Sequence, residues 1–414
     1  LALRKKNPTI LQVIPQLETG GAELSTLEMV DALSRSGARA LVVSEGGRMA
    51  AQVEKFGGEN IILPVSSKNP LQINANRRRL EKMIRQESIA LVHARSRAPA
   101  WSCLFAAKQT AIPLVTTYHG AYAGANVMKR AYNSVMARGK LVIANSRFTA
   151  DMIKDCHETD EGRMRVIYRG VDLQRFTQSA VSEEQRSQLR LKWGVEKDIP
   201  IILHPARLTR WKGQGVVIRA MAKLIEAGED HKAVVVLAGD HQGREAYVSE
   251  LKDLIVRLGL ENRIYLVGHC SDMATAYALA RVTLIASIEP EAFGRTSAEA
   301  QAMGCPVIAT NIGAPPETVR ARPNVTDDLV TGWLVAPQKL DELAKALGQV
   351  LNLTTSNYER LALNAVKNVE EHFSDELMKV KTLAVYDELL GTGLEAAFKK
   401  EVMLGNAKLT GGDF

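Results

Sequence analysis

The chain has 414 residues, 46% of them hydrophobic and 24% charged, too long for one ordinary core and divided most naturally into two domains. That composition excludes an intrinsically disordered chain, and the longest apolar runs, such as "AVVVLAG" and "LIAS", are far too short to cross a bilayer as helices. The net charge of +7 is unevenly spread, since residues 1–175 hold 26 Lys and Arg against 15 Asp and Glu, a surplus of 11 that leaves −4 for the remainder. A basic first half points to an anionic partner, with nucleic acid, a membrane surface and a phosphorylated acceptor as the classes to weigh. The densest basic run, "NRRRLEKMIR" (76–85), fits a solvated helix face with Leu80 and Ile84 packed inward as well as it fits a binding surface. Aromatic residues are sparse around it, which argues against stacking platforms for single-stranded nucleic acid. The segment "LALRKKNPTI" has no hydrophobic signal stretch with a cleavage site, and Cys103, Cys156, Cys270 and Cys305 lie far apart without metal-type pairing. Reduced thiols in the cytoplasm are expected.

In chain order, "TILQVIPQL" (9–17), "RALVVSE" (39–45), "IALVHAR" (89–95), "PLVTTYHG" (113–120) and "LVIANS" (141–146) are rich in β-branched residues, bounded by turn residues, and read as buried strands. Between the first two, Leu24, Leu27, Val30 and Leu33 recur every three residues and Gly37 supplies a stop, the pattern of a helix. The plan repeats with "PIILHPARL" (200–208), "KAVVVLAG" (232–239), "RIYLVGH" (263–269), "RVTLIAS" (281–287) and "CPVIAT" (305–310), with helical patterns such as "GVVIRAMAKLIEAG" (215–228) between them. Alternating strand and helix in two blocks implies an α/β fold of two facing, Rossmann-like, doubly wound domains with parallel sheets. The expected limits are 1–180, 181–375, and a C-terminal helix with tail over 376–414 that returns to the first domain. The charged, strand-free stretch 174–200 is the expected connection. After "TGWLVAP" (331–337) the pattern is helical, and the tail 405–414 is expected to fray.

Ligands of open α/β sheets bind beyond the carboxyl ends of the strands, so the residues just after each strand carry the chemistry. After the first strand, Gly20 and Gly21 let the backbone turn tightly ahead of a helix whose amides point the same way. This is not the G-x-G-x-x-G of a nicotinamide enzyme. After "PIILHP" comes "ARLTRWKG", where Arg207 and Lys212 are suited to a diphosphate, one as a fork and one as a point charge. In "SIEPEAFGRTSAEA" a strand ends near Ser287, Gly294 permits a turn and a helix begins about Thr296, which favours a phosphate at the helix start. Glu291 on that loop suits sugar hydroxyls, and Glu299 in the helix suits the hydroxyls of a ribose.

Glu291-x7-Glu299, "PEAFG", "AEAQAMGCPVIAT", "ARLTRWKG", "TGGAE", "TTYHG", "IANS", "VIYRGVD" and "TGWLVAP" together, in their chain order over residues 9–390, resemble glycosyltransferase family 4, the retaining sugar-nucleotide transferases of the GT-B fold. Stretches such as "HARSRAPAW" and "AYNSVMARG" bring the likeness nearest to bacterial cell-envelope enzymes, including those that build lipopolysaccharide core. The resemblance implies that Arg207 and Lys212 bind the donor diphosphate, Glu291 orients the donor sugar, Phe293 and Gly294 present backbone amides, and Glu299 holds the ribose. Gly20 and Gly21 then line the cleft from the other side, and His119 reaches the sugar near the reacting carbon. Asn145, Ser146 and Glu317 are secondary candidates. The glycine pair usual before the latter glutamate reads Gly313-Ala314 followed by two prolines here. The implied reaction is metal-independent, needs no cofactor, and moves a hexose with retention from a GDP- or UDP-linked sugar to a lipid-linked or lipopolysaccharide core glycan. The implied partners are the nucleotide sugar and an anionic glycolipid or phosphorylated glycan, not nucleic acid. Peripheral contact with the inner membrane through the basic half is a further expectation. The competing readings are a sugar-nucleotide epimerase or hydrolase of the same fold, and a non-catalytic sugar-nucleotide-binding protein.

Overall fold

A strand that is apolar on both faces is stable only inside a sheet covered on each side, and all ten runs read from the sequence form strands of two parallel sheets. The computed structural model describes residues 7–18, 20–121 and 126–410. The chain divides into two compact units, Leu1–Gly170 with Asp375–Phe414, and Val171–Ser374. The divisions follow Gly170 and Ser374, against 180 and 375 drawn from sequence patterning.

The first unit carries β1 (Thr9–Val13), β2 (Arg39–Ser44), β3 (Glu59–Ile62), β4 (Ile89–Ala94), β5 (Leu114–Tyr118), β6 (Leu141–Ala144) and β7 (Met164–Val166), ordered β3-β2-β1-β4-β5-β6-β7. Side chains alternate across the sheet, so Leu11 and Val13 of β1 enter one core with Val92, Leu104 and Ile153. Ile10 enters the other with Leu27, Leu33, Tyr386 and Phe398. The last two belong to the C-terminal helices Asp375–Leu390 and Leu394–Thr410, which the first unit holds by ion pairs. Buried Lys379 reaches Asp31 and Asp375, each at 2.9 Å, and Arg35 meets Glu401 at 2.5 Å. The tail read as frayed from 405 is helical through Thr410; residues 411–414 lie outside the described residues, as do Thr19 of "TGGAE" and most of "LALRKKNPTI".

The second unit carries β8 (Ile201–Pro205), β9 (Val234–Ala238), β10 (Ile264–Gly268), β11 (Ala280–Ile285), β12 (Val307–Thr310) and β13 (Gly332–Val335), ordered β10-β9-β8-β11-β12-β13. In each sheet the strand order reverses at one place, β1 beside β4 and β8 beside β11, and such switch points are where doubly wound sheets open a crevice for ligands.

The stretch 174–200 is not a bare connection. It holds the helix Glu183–Trp193, begun by a reciprocal cap between Ser182 and Gln185 and ending on buried Trp193, and it belongs to the second unit. The S-x-x-Q spacing of that cap was present in the sequence. The basic run 76–85 lies in the helix Pro70–Gln86, with Leu80 and Ile84 buried. No disulfide forms among the four cysteines, and among the described residues no helix is long and apolar enough to cross a membrane.

Candidate functional site

At the β8/β11 switch point two loops meet. After β8 the chain passes Arg207 and makes a single turn over Arg210–Lys212 before the helix Gln214–Glu226. After β11 the backbone N–H of Ile288 donates to Trp211 O at 2.7 Å, fastening one loop to the other. This contact places Lys212 against Glu291, with Nζ donating to Oε1 at 2.7 Å and both side chains largely covered, 16% and 10% exposed. Ser287 Oγ donates to the same oxygen, the Lys212 ammonium lies 4.2 Å from the centre of the Trp211 ring, and the backbone of Glu291 accepts from Ala314 N–H at 2.9 Å. Glu291 is therefore held at both main chain and side chain. Arg207 is exposed, its guanidinium making a long 3.5 Å contact with Gln242 Oε1.

Three residues beyond Glu291, Gly294 adopts φ 83 and ψ 57 and starts the helix Arg295–Ala302 with no side-chain cap. A left-handed start favours glycine, and the first amides of such a helix are donors with a favourable dipole for an anion. Phe293 is buried with its ring 5.8 Å from that of Phe373, which fixes the turn from beneath. Glu299, one turn into the helix, accepts from Arg295 Nε at 3.0 Å and Tyr277 OH at 3.1 Å. Burial and the Glu299 charge hold the Tyr277 phenol well above its usual range, so it remains a donor. Glu317 is half-buried in the short helix Pro315–Thr318. Under the Lys212 loop, buried His204 places Nδ1 3.0 Å from the Leu284 carbonyl, and burial pushes its pKa down to about 4. The ring is neutral at pH 7.

The first unit gathers a different set at the carboxyl ends of β1, β4, β5 and β6. Arg95 follows β4 and is 2% exposed; its Nε donates to Gln12 Oε1 at 2.7 Å, Nη1 to Ser25 Oγ at 3.3 Å, and Nη2 has no partner. His93 sits between Tyr386 OH and Thr117 Oγ1, each at 2.7 Å. Asn145, 2% exposed, has neither amide atom hydrogen-bonded. His119 places Nδ1 3.0 Å from Arg169 Nη2, and its Nε2 has no partner. These groups line one small cavity of about 20 Å³, room for about one water. Ser146 is spent locally as the cap of the helix Arg147–His157, accepting from Thr149 N–H at 3.0 Å. Gly20 and Gly21 open the helix Gly21–Arg35.

Among the sequence candidates, Lys212 with Glu291 form one contact, and His119 with Asn145 share one cavity. Arg95 and Arg169 were not singled out, although one directly follows a strand read as "IALVHAR" and the other lies inside the quoted "VIYRGVD".

Two doubly wound parallel sheets, each with polar groups gathered at one switch point, define the GT-B class of architecture. Residues 19–175 match the family described as Glycosyltransferase Family 4, and residues 185–368 match Glycosyl transferases group 1. A solved glycosyltransferase of Rickettsia africae is similar over 93% of this chain and 99% of its own, at 36% identity and a TM-score of 0.84. The Anabaena protein HepE, solved in complex with UDP-glucose, is similar over 92% of this chain and 100% of its own, at 25% identity and a TM-score of 0.77. A D-inositol 3-phosphate glycosyltransferase of Actinosynnema mirum is 31% identical over 61% of this chain and 58% of its own, and the chain spans about three fifths of the length of such curated relatives. The chain belongs to this family of glycosyltransferases.

Proposed function

We propose that the protein is a retaining, metal-independent hexosyltransferase that uses a UDP- or GDP-linked sugar and an anionic, lipid-linked acceptor such as a lipopolysaccharide core glycan. The observation that carries this reading is the covered Lys212–Glu291 pair beside the uncapped helix at Gly294. A cation and a row of amides suit a diphosphate, while a carboxylate beside them suits sugar hydroxyls. The relative solved with UDP-glucose supports a nucleotide-sugar donor.

In this reaction the bond from the anomeric carbon to the phosphate oxygen breaks, leaving positive charge on the ring and negative charge on the diphosphate. Lys212, Arg207 and the amides after Gly294 stabilise the leaving group, an electrostatic contribution that replaces a metal ion's and is large in a water-poor site. Glu291 fixes the sugar and Glu299 the ribose, while the unsatisfied His119 and Asn145 of the first unit suit a hydroxyl. The acceptor hydroxyl attacks on the face the diphosphate leaves, and its proton passes to a phosphate oxygen. Retention follows without a covalent sugar-enzyme species.

The acceptor side draws support from a groove of about 710 Å³ in the first unit, lined by Trp101, Phe105 and Tyr132 together with Lys68, Arg77 and Lys108. Aromatic faces with cations suit an anionic glycolipid and contact with an anionic membrane surface. The related enzyme whose name specifies inositol 3-phosphate adds a precedent for a phosphorylated acceptor. The test is a thermal-shift panel of UDP- and GDP-sugars followed by product analysis with lipid-linked acceptors, in chelator. Binding without transfer, an epimer from donor alone, or activity that magnesium restores each counts against the corresponding part of the proposal.

A further inference from the structure

A guanidinium has five N–H donors and accepts no hydrogen bond. The 3.0 Å contact between Arg169 Nη2 and His119 Nδ1 therefore has one direction: Nδ1 accepts and carries no proton. A neutral imidazole with a bare Nδ1 bears its proton on Nε2. We propose that Arg169 is the positioning residue that holds His119 as the Nε2–H tautomer, so that His119 meets its ligand as a hydrogen-bond donor and not as a base.

Three further observations bear on this arrangement. Arg169 Nη2 also donates to the His119 carbonyl at 3.1 Å, so one nitrogen grips the residue at ring and backbone and fixes the ring plane. On its other side Arg169 Nη1 occupies the space that a Cβ on residue 21 would fill. The glycine at the head of the helix Gly21–Arg35 thus leaves room for the end of the arginine, which a side chain at 21 would push aside. Finally, His119 Nε2 opens on the cavity shared with Arg95 and Asn145 and has no partner there. Burial first, and then the charged and titratable groups that bear on the ring, Arg169, Arg95 and His93, hold its pKa well below the usual histidine range. A cationic ring would have to turn an Nδ1–H toward a guanidinium.

The ligand partner this assigns is an oxygen with a lone pair to offer, which in the transfer proposed above is a sugar hydroxyl that takes the place of the single water the cavity admits. That identity rests on the transferase reading; the tautomer does not. The experiment is long-range proton–nitrogen correlation of the 15N-labelled full chain, with the His119 signals assigned by their loss in His119→Gln. The expected pattern is a protonated Nε2 and a bare, hydrogen-bonded Nδ1; an Nδ1–H pattern overturns the proposal. In Arg169→Met the Nδ1 signal is expected to move to that of a nitrogen without a donor or to average with Nε2. Turnover should fall about tenfold, the worth of one misplaced hydrogen bond, with the donor KM changed less than about threefold. Arg169→Lys, which keeps a donor, should restore the pattern and part of the rate. Gly21→Ala, which crowds the arginine from outside, should give a weaker form of the same change and serves if Arg169→Met does not accumulate. An unchanged His119 pattern in Arg169→Met overturns the proposal whatever happens to turnover. If the pattern and its loss are as expected but no sugar is transferred, the transferase reading fails and the tautomer assignment stands.

Discussion

The two sheets reverse strand order at equivalent places, β1/β4 and β8/β11, yet the polar groups gathered there differ in kind. At β8/β11 a cation meets a carboxylate, with an exposed arginine and an uncapped helix nearby. At β1/β4 the groups are buried, and Arg95 Nη2, His119 Nε2 and both ends of the Asn145 amide are left without hydrogen bonds. The same topology thus provides one site built on a held ion pair beside an uncapped helix, and another of buried polar groups with unsatisfied donors and acceptors. Unsatisfied buried groups are costly, and a fold retains them where a ligand or water completes them.

The sharpest way to break this contrast is to remove the charges of the second unit. Lys212→Met is expected to lower turnover by about a hundredfold to a thousandfold, as loss of a leaving-group donor does. Glu291→Gln, which keeps shape and the Ser287 contact, should lower it by a similar factor without trapping a glycosylated enzyme, as mass spectrometry of the reaction mixture would show. If Lys212→Met turned over at the normal rate, the pair would be an ordinary structural ion pair.

The first unit, by contrast, depends on its C-terminal helix for closure, because Tyr386 supplies a partner to His93 and Lys379 joins the helix to Asp31. Lys379→Met leaves two carboxylates facing each other in a covered site and is expected to destabilise this unit by about 3 kcal/mol. Denaturant unfolding followed by a probe in the first unit reads that loss, while nucleotide binding by the second unit should persist.

Burial of neutral imidazoles gives a third, intermediate test. His204 has its pKa pushed down to about 4 by burial, so the unfolded chain, with an ordinary value near 6.5, binds the proton first. Stability is full above about pH 6.5 and is lost as pH falls toward 4, by about 2 kcal/mol at pH 5 from this residue. His93 and His119 shift the same way in the first unit. Replacing His204 with Asn should flatten the acid limb of the second unit and leave that of the first; equal slopes before and after would contradict the assignment.

How much of this was legible in the sequence follows the same physics. Central strands announce themselves because both faces are buried, whereas β3, β7 and β13, the three strands not read in advance, are all edge strands with exposed or half-exposed positions such as Glu59, Arg165 and Trp333. Lys212 and Glu291 were legible because charged residues after an apolar strand are conspicuous. Their contact was not, since 79 positions separate them and only the β8/β11 pairing brings them together. Arg95 was hidden inside a strand-like run, and the room that Gly21 leaves for Arg169 depends on a distance no spacing encodes. Ser146 shows a role that the sequence reading did not assign: the hydroxyl of this candidate accepts from Thr149 N–H and caps a helix.

The smallest effect belongs to the groove of the first unit, where Lys108 and Lys68 flank Trp101 and the Arg138 guanidinium lies 5.2 Å from the Trp101 ring centre. Exposed cations act through a screened field, each contributing about 1 kcal/mol near an anionic surface. Lys108→Gln should therefore weaken co-sedimentation with phosphatidylglycerol vesicles by roughly fivefold at low salt and much less at high salt. Binding that is indifferent to both charge and salt would remove the membrane from the list of partners and leave the groove to a soluble acceptor. It would also sharpen the contrast between the units, because the surplus charge of the first half would then act on the substrate alone.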